Sequence, residues 1–454
     1  MQSNKRVPVL GRFSVCILAV SYSLVFLLGC EPASKQGTIV VPPSPSQETA
    51  TSLDRTAQSP ITQSVTTQSL IAQHPIDQLP EGKRYRIATK ALDSNELATV
   101  REIANELLQS NDYAALGQAL EGFLLVRSGK LDDAMSVAER LSEIQVMQAE
   151  CYLIAGEVFA KRLQFLAAID AFSNAQRNDP SNIRAHRWLA VIYHDTGAMN
   201  LATEHLRMVA KLDPTDFRSL RFSGLIHREY EKFEDSVTDY RDALTRNPPA
   251  KVADEVRLEL AESLLKLRKL EEVKETLASI TSKSASRSAL LAETLETAGQ
   301  TEEALASAKE AIGMDSNHLR GSLVLGRLYN GNRQWEQCID CLQPIVAKYP
   351  GEHEPMFLLG RAMISSGKDE EGKRFLAESK RLKDIFLKFS ELNAEAVKRP
   401  QDVALRIVLG QLAEELQKLG IARTWYLAAL GLDPSNPEAK EALTRLSAQL
   451  RAKK

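Results

Sequence analysis

Prolines stand at Pro180, Pro214 and Pro248, each 34 residues after the last, and again at Pro350, three such intervals further on. Proline lacks the amide donor that a helix interior needs, and its ring collides with the preceding turn. Its recurrence at this period marks a chain of helix–turn–helix units, each too small to bury its own apolar face and each covered by its neighbours. A length of 454 residues therefore need not mean two or three globular domains, because repeats are added end to end. Arrays of this kind usually serve as binding surfaces, so the period constrains the fold strongly and the partner weakly.

Aromatic residues make up only 6% of the chain, so the core must rest on Ala, Leu, Val and Ile, which suits closely packed helices. With 57 basic and 59 acidic residues the formal charge is -2, which argues against a general nucleic-acid binder.

Lys5, Arg6 and Arg12 precede an uncharged apolar run from Val15 to Leu28. That run is shorter than the roughly 20 residues a membrane-spanning helix requires. It ends in Leu27-Leu28-Gly29-Cys30, which resembles a bacterial lipobox. The resemblance implies a signal peptide over 1–29, removed in the mature protein, with Cys30 lipidated as the new N-terminus. It places the protein in the cell envelope, anchored on the extracytoplasmic (periplasmic) side of a membrane. By analogy with enteric bacteria, Glu31 leans toward outer-membrane sorting. Residues 30–80 are rich in Ser, Thr, Gln and Pro and cannot bury enough surface to offset their ordering entropy, so a disordered tether is expected. Fifty flexible residues would reach roughly 40 Å.

In the stretch 149–182, Gly156 is the eighth residue, Phe159 the eleventh, Ala168 the twentieth, Phe172 the twenty-fourth, Ala175 the twenty-seventh and Pro180 the thirty-second. This pattern resembles the tetratricopeptide repeat, with small residues at 8, 20 and 27, an aromatic at 11 and proline at 32. Small residues let the helix backbones approach, and large ones at 11 and 24 fill the space left. The same register fits 183–216, 217–250, 319–352 and 403–436, and more weakly 115–148, 285–318 and 353–386. Around Asp254 it runs three residues late, giving a ninth unit over 254–284. Phe386 to Arg399 reads as an extra or extended helix, Asp93 to Gln109 as a lone helix, and 437–454 as a capping helix. The expected fold is an all-α tetratricopeptide-repeat solenoid, a right-handed superhelix, with the array over about 90–436.

Reactive chemistry is sparse. Gly360 to Lys368 has the wrong spacing for a phosphate loop, and Asp369 stands where Ser or Thr would hold magnesium. No histidine forms a His-Glu-x-x-His pair; His186, His194 and His227 fall in adjacent units, where a histidine-lined groove or ordinary packing is open. Cys338 and Cys341 share one helix face, with a packing role or a disulfide both open. No cofactor, metal or catalytic residue is expected.

In the family the first helix of each unit lines the concave face with positions 2, 5, 9 and 12. Here those positions include Arg184, Arg187 and His194 in one unit, and Arg218, Arg221 and Arg228 in the next. Arg320, Arg327 and Arg361 follow later. Arginine forks suit carboxylates and could grip an acidic peptide; they could equally be solvated or paired with Glu204, Asp216 and Glu229. Val191 and Leu225 replace the asparagine of the chaperone-binding carboxylate clamp. The resemblance implies a non-catalytic, membrane-anchored scaffold for a protein or peptide partner, with an assembly factor for pilus, secretion or outer-membrane machinery as a narrower form. A glycan-binding array would need clustered aromatics, for which Trp188 is the single inward candidate, since Trp335 and Trp425 fall on second helices.

Overall fold

The computed structural model describes residues 80–396, 398–399 and 401–452. The signal sequence, Cys30 and the tether expected from the sequence lie outside them. Every regular element among the described residues is helical: α1 (Pro80–Asp93), α2 (Leu97–Leu108), α3 (Ala114–Arg127), α4 (Leu131–Ser142), α5 (Gln148–Lys161), α6 (Phe165–Asn178), α7 (Ile183–Asp195), α8 (Met199–Leu212), α9 (Phe217–Glu229), α10 (Phe233–Thr245) and α11 (Ala250–Lys266). They continue as α12 (Leu270–Ala278), α13 (Ala285–Thr297), α14 (Thr301–Met314), α15 (Leu319–Gly331), α16 (Trp335–Lys348), α17 (His353–Ser365), α18 (Asp369–Ala396), α19 (Val403–Glu415), α20 (Leu419–Leu432) and α21 (Pro437–Ala452). A short 3₁₀ turn, Gln145–Met147, precedes α5. The described residues form two compact units that divide after Ile154.

Three local devices repeat. The eighth residue of a unit faces its twenty-fourth: a Cβ added to Gly156 would lie 2.6 Å from the Phe172 ring, and one on Gly410 would lie 2.5 Å from the Tyr426 ring. Glycine is what lets the two helices of a pair close on a large side chain. The fifteenth residue is left-handed in every unit, whether glycine (Gly129, Gly197, Gly299, Gly367) or not (Leu163, Glu231, Arg268, Arg333, Gln417). There the next amide turns back onto the eleventh carbonyl, as in Gln164 to Phe159, Ala198 to Tyr193 and Lys418 to Ala413, which ends the first helix in a Schellman turn. The residue before a first helix caps it in five units: Asn182 accepts from the Ala185 amide at 3.0 Å, Asp216 from Ser219 at 3.0 Å, and Asp402 from Leu405 at 2.9 Å, with Ser284 and His318 doing the same.

The structure departs from the sequence reading at both ends and in the middle. The lone helix expected over 93–109 is instead the second half of a pair, α1 with α2. Asn95 takes φ 60° between them, the Glu96 amide returns to the Ala91 carbonyl, and Ala88 is fully buried, so residues 81–114 carry the left-handed turn and the small eighth residue of the other units. Asn tolerates the left-handed region, so it can replace glycine in this turn. Of the extra or extended helix expected over Phe386–Arg399, the structure takes the extended form: α18 runs unbroken for 28 residues and ends at Ala396. The late register around Asp254 arises because α11 has 17 residues where the other first helices have 13 or 14, and α12 has only 9. The Asp254 carboxylate then accepts from the Thr281 hydroxyl and the Ser282 amide, both at 3.0 Å, and ties down the turn that restores the phase.

Within the unit from Ala155 onward, the last pair meets the first ones. Helix α20 packs on α6 and α7, with Gly431 against the Phe165 ring so closely that no side chain fits between them. Arg406 is completely buried, donating to the Asp402 carbonyl at 2.9 Å and also to the Thr196 carbonyl, 210 residues earlier.

Candidate functional site

The first helices lie side by side, α11 against α13, α13 against α15, and α15 against α17. Arg320 on α15 reaches Glu262 on α11 at 2.8 Å, across the intervening α13. Side chains two units apart can meet only on the inside of a curve, so the first helices form the concave wall of this unit.

That wall is a ladder of ion pairs. Arg184 meets Glu157 at 2.8 Å, and Trp188 donates to the same oxygen at 3.0 Å. Arg187 meets Asp216 at 3.3 Å. Arg221 forks onto Glu259 at 2.9 and 2.6 Å and touches Glu255 at 3.0 Å. Arg228 at 2.5 Å and Arg320 at 2.8 Å share Glu262, and Arg320 also reaches Glu293 at 3.2 Å. Arg327 grips Glu296 with two donors, at 2.8 and 2.5 Å, and Glu354 with a third at 3.0 Å. Bidentate geometry of this kind makes strong, directional pairs. Burial alone would raise the Glu262 carboxyl, but its two arginines outweigh burial and hold it below its usual range. Burial likewise disfavours a charged His194, yet its contacts to Asp195 (3.1 Å) and Glu229 (3.3 Å) push it up to about 10. His194 is therefore a fixed cation at neutral pH.

The sequence placed the arginines on one wall and left open whether they are free or paired; Asp216 and Glu229, two of the partners it offered, are engaged, by Arg187 and His194. Seven of the nine inward cations, all but Arg218 and Arg361, are paired with the protein's own carboxylates. Those acidic partners occupy the same inward positions: Glu157, Glu262 and Glu293 are ninth residues, Glu255 and Glu354 second, Glu296 twelfth. Acidic α5 precedes two basic first helices, α7 and α9, two acidic ones, α11 and α13, follow, and α15 is basic again, a pattern present in the sequence at these positions. Arg218 and Arg361 instead lie over aromatic rings, 5.7 Å from the Phe217 centroid and 5.8 Å from that of Phe357. Phe357 is 44% exposed and Arg361 is exposed beside it.

The remaining candidates scatter. Trp188 is buried and stacked on Phe172 at 5.4 Å, so it offers no platform to a sugar. The three histidines do not share a groove: His186 is buried with its Nδ1 2.8 Å from that of His205, and His227 is bound to Asp239. Burial, then its neighbour His186, depress His205 to about 4. Cys338 and Cys341 are free thiols, which burial pushes up to about 11 and about 12 respectively.

Residues 155–217 match the family model of the tetratricopeptide repeat. Similar solved structures include one from the functional characterization of Pseudomonas aeruginosa PilF, 20% identical with a TM-score of 0.37, over 46% of this chain and 96% of that one. A tetratricopeptide repeat protein from Parabacteroides merdae is 13% identical with a TM-score of 0.32, over 66% of this chain and 99% of its own. A thermophilic repeat protein of Thermus thermophilus is 19% identical with a TM-score of 0.27, over 39% and 98% respectively. No curated protein matches the chain. The helix pairs are of tetratricopeptide type, a fold that supports protein–protein interaction as a scaffold.

Proposed function

We propose that this protein is a lipid-anchored scaffold of the cell envelope that binds a protein or peptide partner on its concave wall and performs no chemistry of its own. The observation that carries the reading is the interlocked wall itself. Its arginines and carboxylates brace neighbouring first helices against one another, so exposed groups on the same face are held at fixed separations, as a preorganised binding surface requires. Arg361 beside the exposed ring of Phe357 is the first such group, a guanidinium free of ion pairs next to an apolar surface. A partner segment that pairs an acidic residue with an apolar one would use both. The lipobox-like Leu27-Leu28-Gly29-Cys30 supports the anchor.

Tagged full-length protein, crosslinked in cells and analysed by mass spectrometry, should return a reproducible partner whose recovery falls at least tenfold with the Arg361→Glu, Phe357→Ala pair. Undiminished recovery would end the concave-wall reading. Metabolic labelling with an alkynyl fatty acid should mark the parent and not Cys30→Ser; a labelled variant, or an unlabelled parent, would remove the anchor from the proposal.

A further inference from the structure

On the opposite side of the helix pairs, a cleft of about 620 Å³ opens between the second helices α8 and α10. Its floor holds His227, which is only 3% exposed. The ring's Nδ1 lies 2.7 Å from Asp239 Oδ2, which also accepts from the Ser223 hydroxyl at 2.6 Å. A carboxylate can only accept, so Nδ1 carries the hydrogen and the tautomer is set. Nε2 is left with no protein partner among the described residues. That nitrogen is not enclosed by the protein, so in a residue that lines the cleft it is an acceptor open to a donor from a ligand.

The walls indicate which one. Arg207 and Lys211 on α8 and Lys232 before α10 line the cleft, are exposed, and form no ion pair among the described residues. This contrasts with the concave wall, where seven of nine cations are neutralised. Glu204 and Asp235 also line the cleft, so its formal charge with neutral histidine is three minus two, or +1. An excess of one suits a monoanionic carboxylate better than a phosphate dianion. Met208, 36% exposed, adds an apolar, adaptable contact beside the cations. We infer that this cleft is a second binding site, for a peptide segment of a partner protein that carries an Asp or Glu carboxylate next to an aliphatic side chain. The carboxylate would lie among Arg207, Lys211 and Lys232, a backbone N–H of the same segment would donate to His227 Nε2, and the aliphatic group would rest on Met208.

This site is independent of the concave wall, and its test is built to keep the two apart. A phage-displayed library of random dodecapeptides is selected on the purified full-length protein and screened against Lys211→Glu/Lys232→Glu, both positions solvent-exposed and remote from the ion-pair ladder. The expected result is enrichment of sequences with Asp or Glu adjacent to Leu, Ile or Met. A synthetic winner should bind the double variant at least tenfold more weakly, bind His227→Gln more weakly too, and bind Arg361→Glu like the parent. Circular dichroism and melting of the double variant should match the parent. The inference is overturned if no peptide is enriched, if the winners lack acidic residues, or if the double reversal leaves affinity unchanged. It is equally overturned if millimolar inorganic phosphate displaces the winner completely, which would make the cleft a simple anion site, or if vesicles with anionic headgroups compete as well as unlabelled peptide does.

Discussion

Glu262 joins three first helices, and replacing it by Gln tests whether the concave ladder holds this part of the array together. Its carboxylate accepts from Arg228 at 2.5 Å and Arg320 at 2.8 Å, and its side chain is 19% exposed. Removing one member of a fully buried pair costs about 3–5 kcal/mol, because the partner's charge is left without compensation. Here the residual exposure and the remaining Arg320 contact to Glu293 soften the loss, so about 2–3 kcal/mol is expected. For a unit of roughly 300 residues that corresponds to a melting shift of about 3–5 °C. Repeat arrays need not unfold in one step, so hydrogen exchange supplies the local readout: protection should fall in α9, α11 and α15 and hold in α19 and α20. The pH dependence follows from the depressed carboxyl. A group more acidic in the folded than in the unfolded state stabilises fully above its unfolded pKa, roughly 4.3, and loses that contribution as pH falls through the folded value. The difference between parent and variant should therefore be constant from pH 7 to about 5.5 and shrink below about pH 4.5. A variant within 0.5 kcal/mol of the parent, roughly the additivity error of such measurements, or a difference that ignores pH, would refute the ladder as a source of stability.

Three further outcomes are expected. Arg406→Met should cost about 2 kcal/mol, since it leaves the Thr196 and Asp402 carbonyls unpaired where a charged donor had satisfied both; exchange should quicken together at 193–198 and 403–412, and unchanged exchange at either segment would contradict the contact between first and last pairs. Gly410→Val should cost about 1–3 kcal/mol by forcing a side chain against Tyr426, and a cycle with Tyr426→Ala, read by urea unfolding, should show the two losses to be less than additive. With their thiols pushed up to about 11 and about 12, Cys338 and Cys341 should resist iodoacetamide at pH 8 in the folded protein and react fully in urea; rapid native labelling would show that burial does not control them.

Much of the architecture was legible because it rests on local devices. The proline period, the small eighth residue against the large twenty-fourth, and the cap before five of the first helices recur at fixed offsets in the chain. Pattern reading failed where the expected residues were missing. Val100, Leu107 and Asp112 stand at positions 20, 27 and 32 of 81–114, where small residues and proline mark other units, and so hid that pair, and one extra turn in α11, compensated in α12, looked like a slip. The candidate site was legible by half. Inward arginines follow from the register of a single helix, but the carboxylates that occupy them lie 27 to 58 residues away and, except for Asp216 on Arg187, belong to other units.

By itself the chain determined repeat length, helix boundaries and the face each residue would take, since all three depend on backbone preferences and spacing within a few turns. Only the tertiary structure decided which charges were already spent on one another, that Arg406 would close the last pair onto the first, and that Arg207, Lys211 and Lys232 would stand unpaired around His227. Those outcomes depend on the curvature summed over many units, and small rotations at each interface set which distant side chains come within a few ångströms.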